Sequence, residues 1–145
     1  MDKKETAELL TALMPNWHCK IERTFKQLQK NHKISFETYY CLLILNQGKV
    51  LTMSELSHQL RISKQRATRM ITALIEYDFV RREYDQVDRR IVHIQITPAA
   101  QAFLKTMDQD EFGFSQMLEK NLSSSEIQEL GDALHVVLRM LEKLD

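Results

Sequence analysis

Ile62–Tyr77, ISKQRATRMITALIEY, is the stretch on which the reading of this 145-residue chain turns. Ala67, Met70, Ile71, Leu74 and Ile75 recur at i, i+3, i+4, i+7 and i+8, the spacing of one buried helix stripe, and Gln65, Arg66, Arg69 and Thr72 share the opposite face. Ser63 stands where its hydroxyl can accept a backbone N–H that the first turn leaves unpaired. Upstream, Thr52-Met-Ser-Glu55 reads as a capping box that opens a short helix with Met53, Leu56 and Leu60 inward, leaving Arg61-Ile62 as a tight connection. Two short helices joined by a turn, the second basic on its outer side, make a helix-turn-helix signature.

Downstream, Phe79–Tyr84 and Ile91–Ile96 read as strands, the second with Val92, Ile94 and Ile96 on one face. The polar segment Asp85–Arg90 between them completes a winged helix. These residues resemble the MarR family of bacterial transcription regulators. The resemblance is carried by Ser63, Thr68-Arg69, Leu74, Val80-x-Arg82 and above all Asp88-Arg89-Arg90, with Thr97 nine positions beyond Asp88. Two glycines of the family pattern are Asp78 and Ala100 here. Asp tolerates the left-handed backbone that often ends a helix, though less well than Gly, so the end of the recognition helix is where this departure bears.

The expected fold is mainly α with a small β-hairpin wing. Residues 35–97 form the winged-helix DNA-binding domain, and residues 1–34 and 98–145 form flanking dimerisation helices. Apart from the adjacent pair Leu9-Leu10, steps of three or four residues through Leu10, Leu13, Trp17, Ile21, Phe25 and Leu28 predict a helix from about Lys3 to Lys30, either kinked at Pro15 or starting near Asn16. Ser35 caps a second helix to Leu45, apolar over much of its circumference and so expected to be buried. Thr97-Pro98 opens a long helix to about Lys120. Ser123-x-x-Glu126 opens a last one, in which Ile127, Leu130, Leu134, Val137, Leu141 and Leu144 form a heptad seam. That seam either packs on the first helix of its own chain or, as the resemblance implies, joins a homodimer.

Composition bounds the function. Lys and Arg balance Asp and Glu at 20 each, but the charge is segregated. Residues 61–90 hold eight cations and five carboxylates, whereas residues 101–145 hold four and nine. A basic middle can attract phosphates while the acidic end faces elsewhere. The start carries no signal-peptide block, no run of about twenty apolar residues occurs, and the two cysteines form no C-x-x-C, so a cytoplasmic protein is expected. No nucleophile, phosphate-loop or metalloprotease motif is present, and the five histidines are scattered, so neither an enzyme, a cofactor nor a metal is expected.

The helix-turn-helix reading places Gln65, Arg66 and Arg69 on base edges and Ser63, Lys64 and Thr68 on phosphates. The resemblance implies that Arg90 enters the minor groove, with Arg89 beside it and Asp88 orienting the wing. It also implies a homodimer on a pseudo-palindromic operator, with Leu130, Leu134, Val137 and Leu141 in the interface. A repressor released by a small ligand or a signal follows from it, with a small aromatic or lipophilic molecule as the candidate effector. Trp17, Phe25, Phe36, Tyr39 and Tyr40 read first as core, and the resemblance adds Trp17, Tyr39 and Tyr40 as ligand-binding residues in a cleft. Two alternatives stand beside this reading. One is a winged helix that binds a protein partner. The other is a redox regulator using Cys19, because relatives of the family sense oxidants through a first-helix cysteine; the plainer reading of Cys19 is a half-buried small side chain, and Cys41 reads as core.

Overall fold

A computed structural model of the chain describes residues 1–48 and 50–144. Its order is α1 (Lys3–His32), α2 (Phe36–Leu45), β1 (Leu51–Thr52), α3 (Met53–Leu60), α4 (Lys64–Glu76), β2 (Val80–Tyr84), β3 (Val92–Ile96), α5 (Pro98–Gln109), α6 (Phe114–Asn121) and α7 (Ser124–Leu141). The sheet is antiparallel in the order β1-β3-β2, with Val80 opposite Ile96 and Tyr84 opposite Val92. β1 is an addition to the expected hairpin: Leu51 and Thr52 pair with Ile94 and His93. Two residues are too few to show a strand's alternation in sequence. The chain divides into two compact units, Met1–Met107 and Asp108–Asp145.

In the first unit, Leu28, Leu42, Leu45, Leu56, Ile71, Leu74 and Ile94 are fully buried, so one core joins four helices to the middle strand of the sheet. Ala67, Ile71 and Leu74 are the buried stripe of α4, and Met70 packs against the core. Caps set the helix starts as the sequence suggests. Ser35, Thr52 and Ser63 accept from the amides of Thr38, Glu55 and Arg66 at 3.2, 3.1 and 3.1 Å. At Thr52 the box is altered, because Glu55 takes the Thr52 hydroxyl at 3.1 Å as well.

Several expectations need correction. α1 runs unbroken through Pro15. The proline cannot donate to the Thr11 carbonyl one turn back, yet the helix continues, and at the next position the Asn16 amide side chain donates to the Ala12 carbonyl at 2.8 Å. The long helix expected from Pro98 to about Lys120 is two helices. Asp110 accepts the Phe112 amide at 3.0 Å, Gly113 donates to the Asp110 carbonyl at 2.7 Å, and Asp108 takes the amide and hydroxyl of Ser115 at 3.3 and 2.6 Å. These short carboxylates offer the backbone a turn that competes with the helix.

Of the five aromatic residues read as core, only Phe25 and Tyr39 are buried; Trp17, Phe36 and Tyr40 are exposed. α2 is apolar over much of its circumference but is covered on one side, and Phe36 and Tyr40 stack on each other one turn apart along its outer face. Cys19 is exposed, not half-buried. In the second unit α7 ends at Leu141, where bonds from Lys143 to Met140 and Leu144 to Leu141 tighten the chain into a turn, so Leu144 falls outside the heptad seam.

Candidate nucleic-acid interface

The helix-turn-helix is α3, Arg61–Ser63 and α4. Arg61 takes a left-handed backbone, φ 53°, which lets the Ile62 amide reach the Ser57 carbonyl at 3.1 Å and turns the chain sharply into α4. With Ala67, Ile71 and Leu74 inward, Lys64, Gln65, Arg66, Thr68, Arg69 and Thr72 are all exposed. The Ser63 oxygen is used by its cap, and its hydroxyl proton remains available to an anion at the positive end of α4. Thr68 differs, because its hydroxyl donates to the Lys64 carbonyl at 2.8 Å and must rotate before it can donate to a phosphate. Lys64 and Arg69 have no ion-pair partner among the described residues, whereas Arg66 pairs through Nη2 with Oε1 of Glu37 on α2.

An open depression of about 600 Å³ beside the turn is lined by Ser54, Ser57, His58, Arg61 and Ile62. Arg61 and His58 add donors that the sequence reading missed. Neither follows the helix-face periodicity that singled out α4, and only the left-handed turn at Arg61 brings them to one wall.

The end of α4 sets where the wing starts. Asp78 has φ 58°, the left-handed conformation that the family's glycine would supply, and the Phe79 amide reaches back to the Leu74 carbonyl at 2.9 Å. The Thr97 hydroxyl donates to the Asp78 carbonyl and accepts the Ala100 amide at 3.2 Å. Thr97 is itself buried, so the end of α4, the end of β3 and the start of α5 share one side chain.

The wing tip is built by two carboxylates. Asp85, which the sequence reading left out of the site, accepts the amides of Val87 at 3.0 Å and Asp88 at 2.8 Å and pairs with His93 Nε2 at 3.2 Å. Those backbone bonds, led by that from Asp88, hold the Asp85 carboxyl below its ordinary range, and His93 adds to the effect. Asp88 accepts the Arg90 amide at 3.0 Å and its guanidinium Nε and Nη2 at 3.1 Å each. The Arg90 side chain thereby lowers the Asp88 carboxyl too. Arg90 is nonetheless 91% exposed, with its remaining donors facing solvent, and Arg89 is exposed beside it.

The other site candidates fall elsewhere. Tyr39 is buried and stacked on Phe25 at 5.2 Å, whereas Trp17 and Tyr40 are about half exposed. On α7, Leu130, Leu134 and Leu141 are exposed and Val137 is half-buried. On α1, Leu9, Leu10, Leu13 and Met14 are exposed. Burial alone pushes the Cys41 thiol up to about 12, which leaves it unreactive. Among the described residues no group of three or more His, Cys, Asp or Glu is placed to hold a metal, and no helix is long and apolar enough to cross a membrane.

Residues 34–92 match the model of the MarR family. The chain is 25% identical over 139 residues to the transcriptional repressor MprA of Escherichia coli (strain K12), covering 94% of this chain and 79% of that one. It is 22% identical over 123 residues to the HTH-type transcriptional regulator BilQ of Clostridioides difficile (strain CD3), 82% and 83% of the two chains. Among solved structures, Streptococcus pneumoniae FabT in complex with DNA has the same fold, with a TM-score of 0.58 and 20% identity over 99% of this chain and all of that one.

Proposed function

We propose that this chain, whose residues 34–92 match the MarR family model, is a transcription regulator of that type that binds a pseudo-palindromic DNA operator as a homodimer and acts as a repressor. The observation that carries this reading is the outer face of α4. Gln65, Arg66 and Arg69 stand exposed opposite the buried Ala67, Ile71 and Leu74, next to a wing that offers Arg89 and Arg90. A helix with one face fixed in a core and the other carrying bidentate donors suits the major groove, where Arg grips guanine O6 and N7 and Gln grips adenine N6 and N7. Ser63 and Lys64 at the helix start take phosphates, joined by Thr68 once its hydroxyl rotates. Arg90 enters the minor groove, with Asp88 fixing its approach.

In this reading residues 35–97 are the DNA-binding domain and residues 1–34 and 98–145 the dimerisation region. The exposed leucines of α1 and of α7 are covered by a second copy, which brings two reading helices to one operator. A small aromatic or lipophilic ligand, with Trp17, Tyr39 and Tyr40 as its candidate binding residues, releases the operator.

The test is to select DNA fragments with the purified protein and to measure a mobility shift on them at rising salt. A steep fall of affinity with salt and a preference for the selected sequence support DNA reading. A flat response, with no sequence preference, overturns it in favour of a winged helix that binds protein.

A further inference from the structure

Glu37 lies in the first turn of α2, outside the helix-turn-helix, yet its carboxylate is paired with the guanidinium of Arg66 on α4, 29 positions away. Both side chains are about half exposed, so the pair sits at the surface where DNA would arrive and is not hidden in the core. From this geometry we infer that Glu37 is a specificity-determining positioning residue, which aims Arg66 at a base and keeps it off the phosphate backbone. The inference rests on the DNA-binding reading proposed above.

A free Arg side chain has many rotamers, and part of that freedom is lost when it docks. A guanidinium already held by a carboxylate has lost some of that freedom beforehand, and its planar fork then presents the unpaired edge in one direction. Glu37 occupies Nη2 through a single oxygen, which leaves donors on the same guanidinium for guanine O6 and N7. Finally, a carboxylate near the DNA backbone repels phosphates, and that cost applies to every sequence, while only the correct base repays it. Glu37 is itself well placed to keep this aim. It stands on a helix capped by Ser35 at 3.2 Å, next to Phe36, whose ring packs edge-on against buried Phe25 at 5.0 Å. The base of the carboxylate is therefore anchored while its end is wet.

This assignment separates Arg66 from Arg69. Both were read from the sequence as equivalent base readers on one helix face. Arg69 has no carboxylate to hold it among the described residues, so it keeps the freedom to take either a base or a phosphate.

The experiment compares the wild-type chain with Glu37→Gln, Arg66→Ala and the double variant, each on the selected operator and on a scrambled duplex of the same length, at three salt concentrations. Glu37→Gln keeps the shape and most of the packing but removes the charge. It should bind the scrambled duplex about fivefold more tightly, with a salt slope steeper by about one phosphate, and should gain nothing on the operator. Discrimination thus falls about fivefold, and the effect should vanish in the Arg66→Ala background, because there is no guanidinium left to aim. A merely structural role for Glu37 would lower the melting temperature and weaken both duplexes together, which overturns the inference. So does unchanged discrimination in Glu37→Gln. A wild type that fails to distinguish operator from scrambled DNA, by contrast, overturns the DNA-binding reading itself, whatever Glu37 does.

Discussion

The buried hydroxyl of Thr97 donates to the backbone carbonyl of Asp78, 19 positions earlier, and so fastens the left-handed end of the recognition helix to the start of α5. The same oxygen accepts the Ala100 amide, which makes Thr97 a cap for α5 as well as a clasp on α4. Thr97→Val keeps the volume and removes both bonds. It should lower unfolding stability by about 1–3 kcal/mol in chemical denaturation, the cost of leaving buried polar groups unpaired, while Thr97→Ser should retain most of it. A Val variant as stable as the wild type would mean that the clasp contributes nothing.

Much of this arrangement was legible in the sequence, for identifiable reasons. The buried stripe of α4 and the caps at Ser35, Ser63 and Ser123 are local signals, in which spacing and side-chain type are set by neighbours three or four residues away. Features that depend on distant partners were not legible. The pairing of Glu37 with Arg66 joins two helices, and β1 exists only because β3 is there to pair with it. The break at Asp108–Gly113 was missed because the apolar positions of α5 and α6 continue one helical rhythm, and three short carboxylate and hydroxyl contacts override it. Phe36 and Tyr40 show a further limit. Periodicity reports that a face is apolar, but not whether anything covers it.

The exposed polar residues on the outer face of α4 should divide by the kind of contact they make. Arg69→Ala and Gln65→Ala should each relax preference at one base step, by about 1–3 kcal/mol of discrimination. Lys64→Ala should weaken all sequences alike and reduce the salt slope by about one. Competition binding against a set of singly substituted operators distinguishes the two patterns. If Lys64→Ala alters base preference as much as Arg69→Ala does, the division between reading and holding is wrong.

Leu134 and Leu141 sit exposed on α7, one seven-residue step apart, on the face proposed to meet a second copy. Leu134→Asp would place a charge in that apolar contact, at a cost of several kcal/mol unless the helices part. Sedimentation should therefore show a dimer for the wild type at micromolar concentration and a monomer for the variant. Operator affinity should fall with it, since two half-sites are no longer held together. A wild type that is monomeric in the same experiment rules out this assembly.

At the wing, Arg90 and Asp88 hold each other through the backbone and side chain, and Asp85 holds the turn beneath them. Arg90→Ala should weaken operator binding strongly on sites with A·T-rich flanks, whose narrow minor groove concentrates negative potential, and should barely change thermal stability. Arg89→Ala should do less, because among the described residues no side chain is paired with it. Acid offers an independent check on the same tip. Both carboxyls titrate below their ordinary values, near 3.9 for a free Asp. Their contribution to wing order is thus complete above that value and is lost as pH falls through the lower folded-state values. In an NMR titration the amides of Val87, Asp88 and Arg90 should shift together in that acidic window, while those of the α4 core stay unchanged. Asp85→Asn should abolish the shift of the Val87 and Asp88 amides, leave that of the Arg90 amide, which Asp88 accepts, and weaken DNA binding as Arg90→Ala does. If Asp85→Asn leaves both the amides and the affinity unaltered, Arg90 is presented by its own helix-free tip alone and the carboxylate scaffold beneath it has no part in recognition.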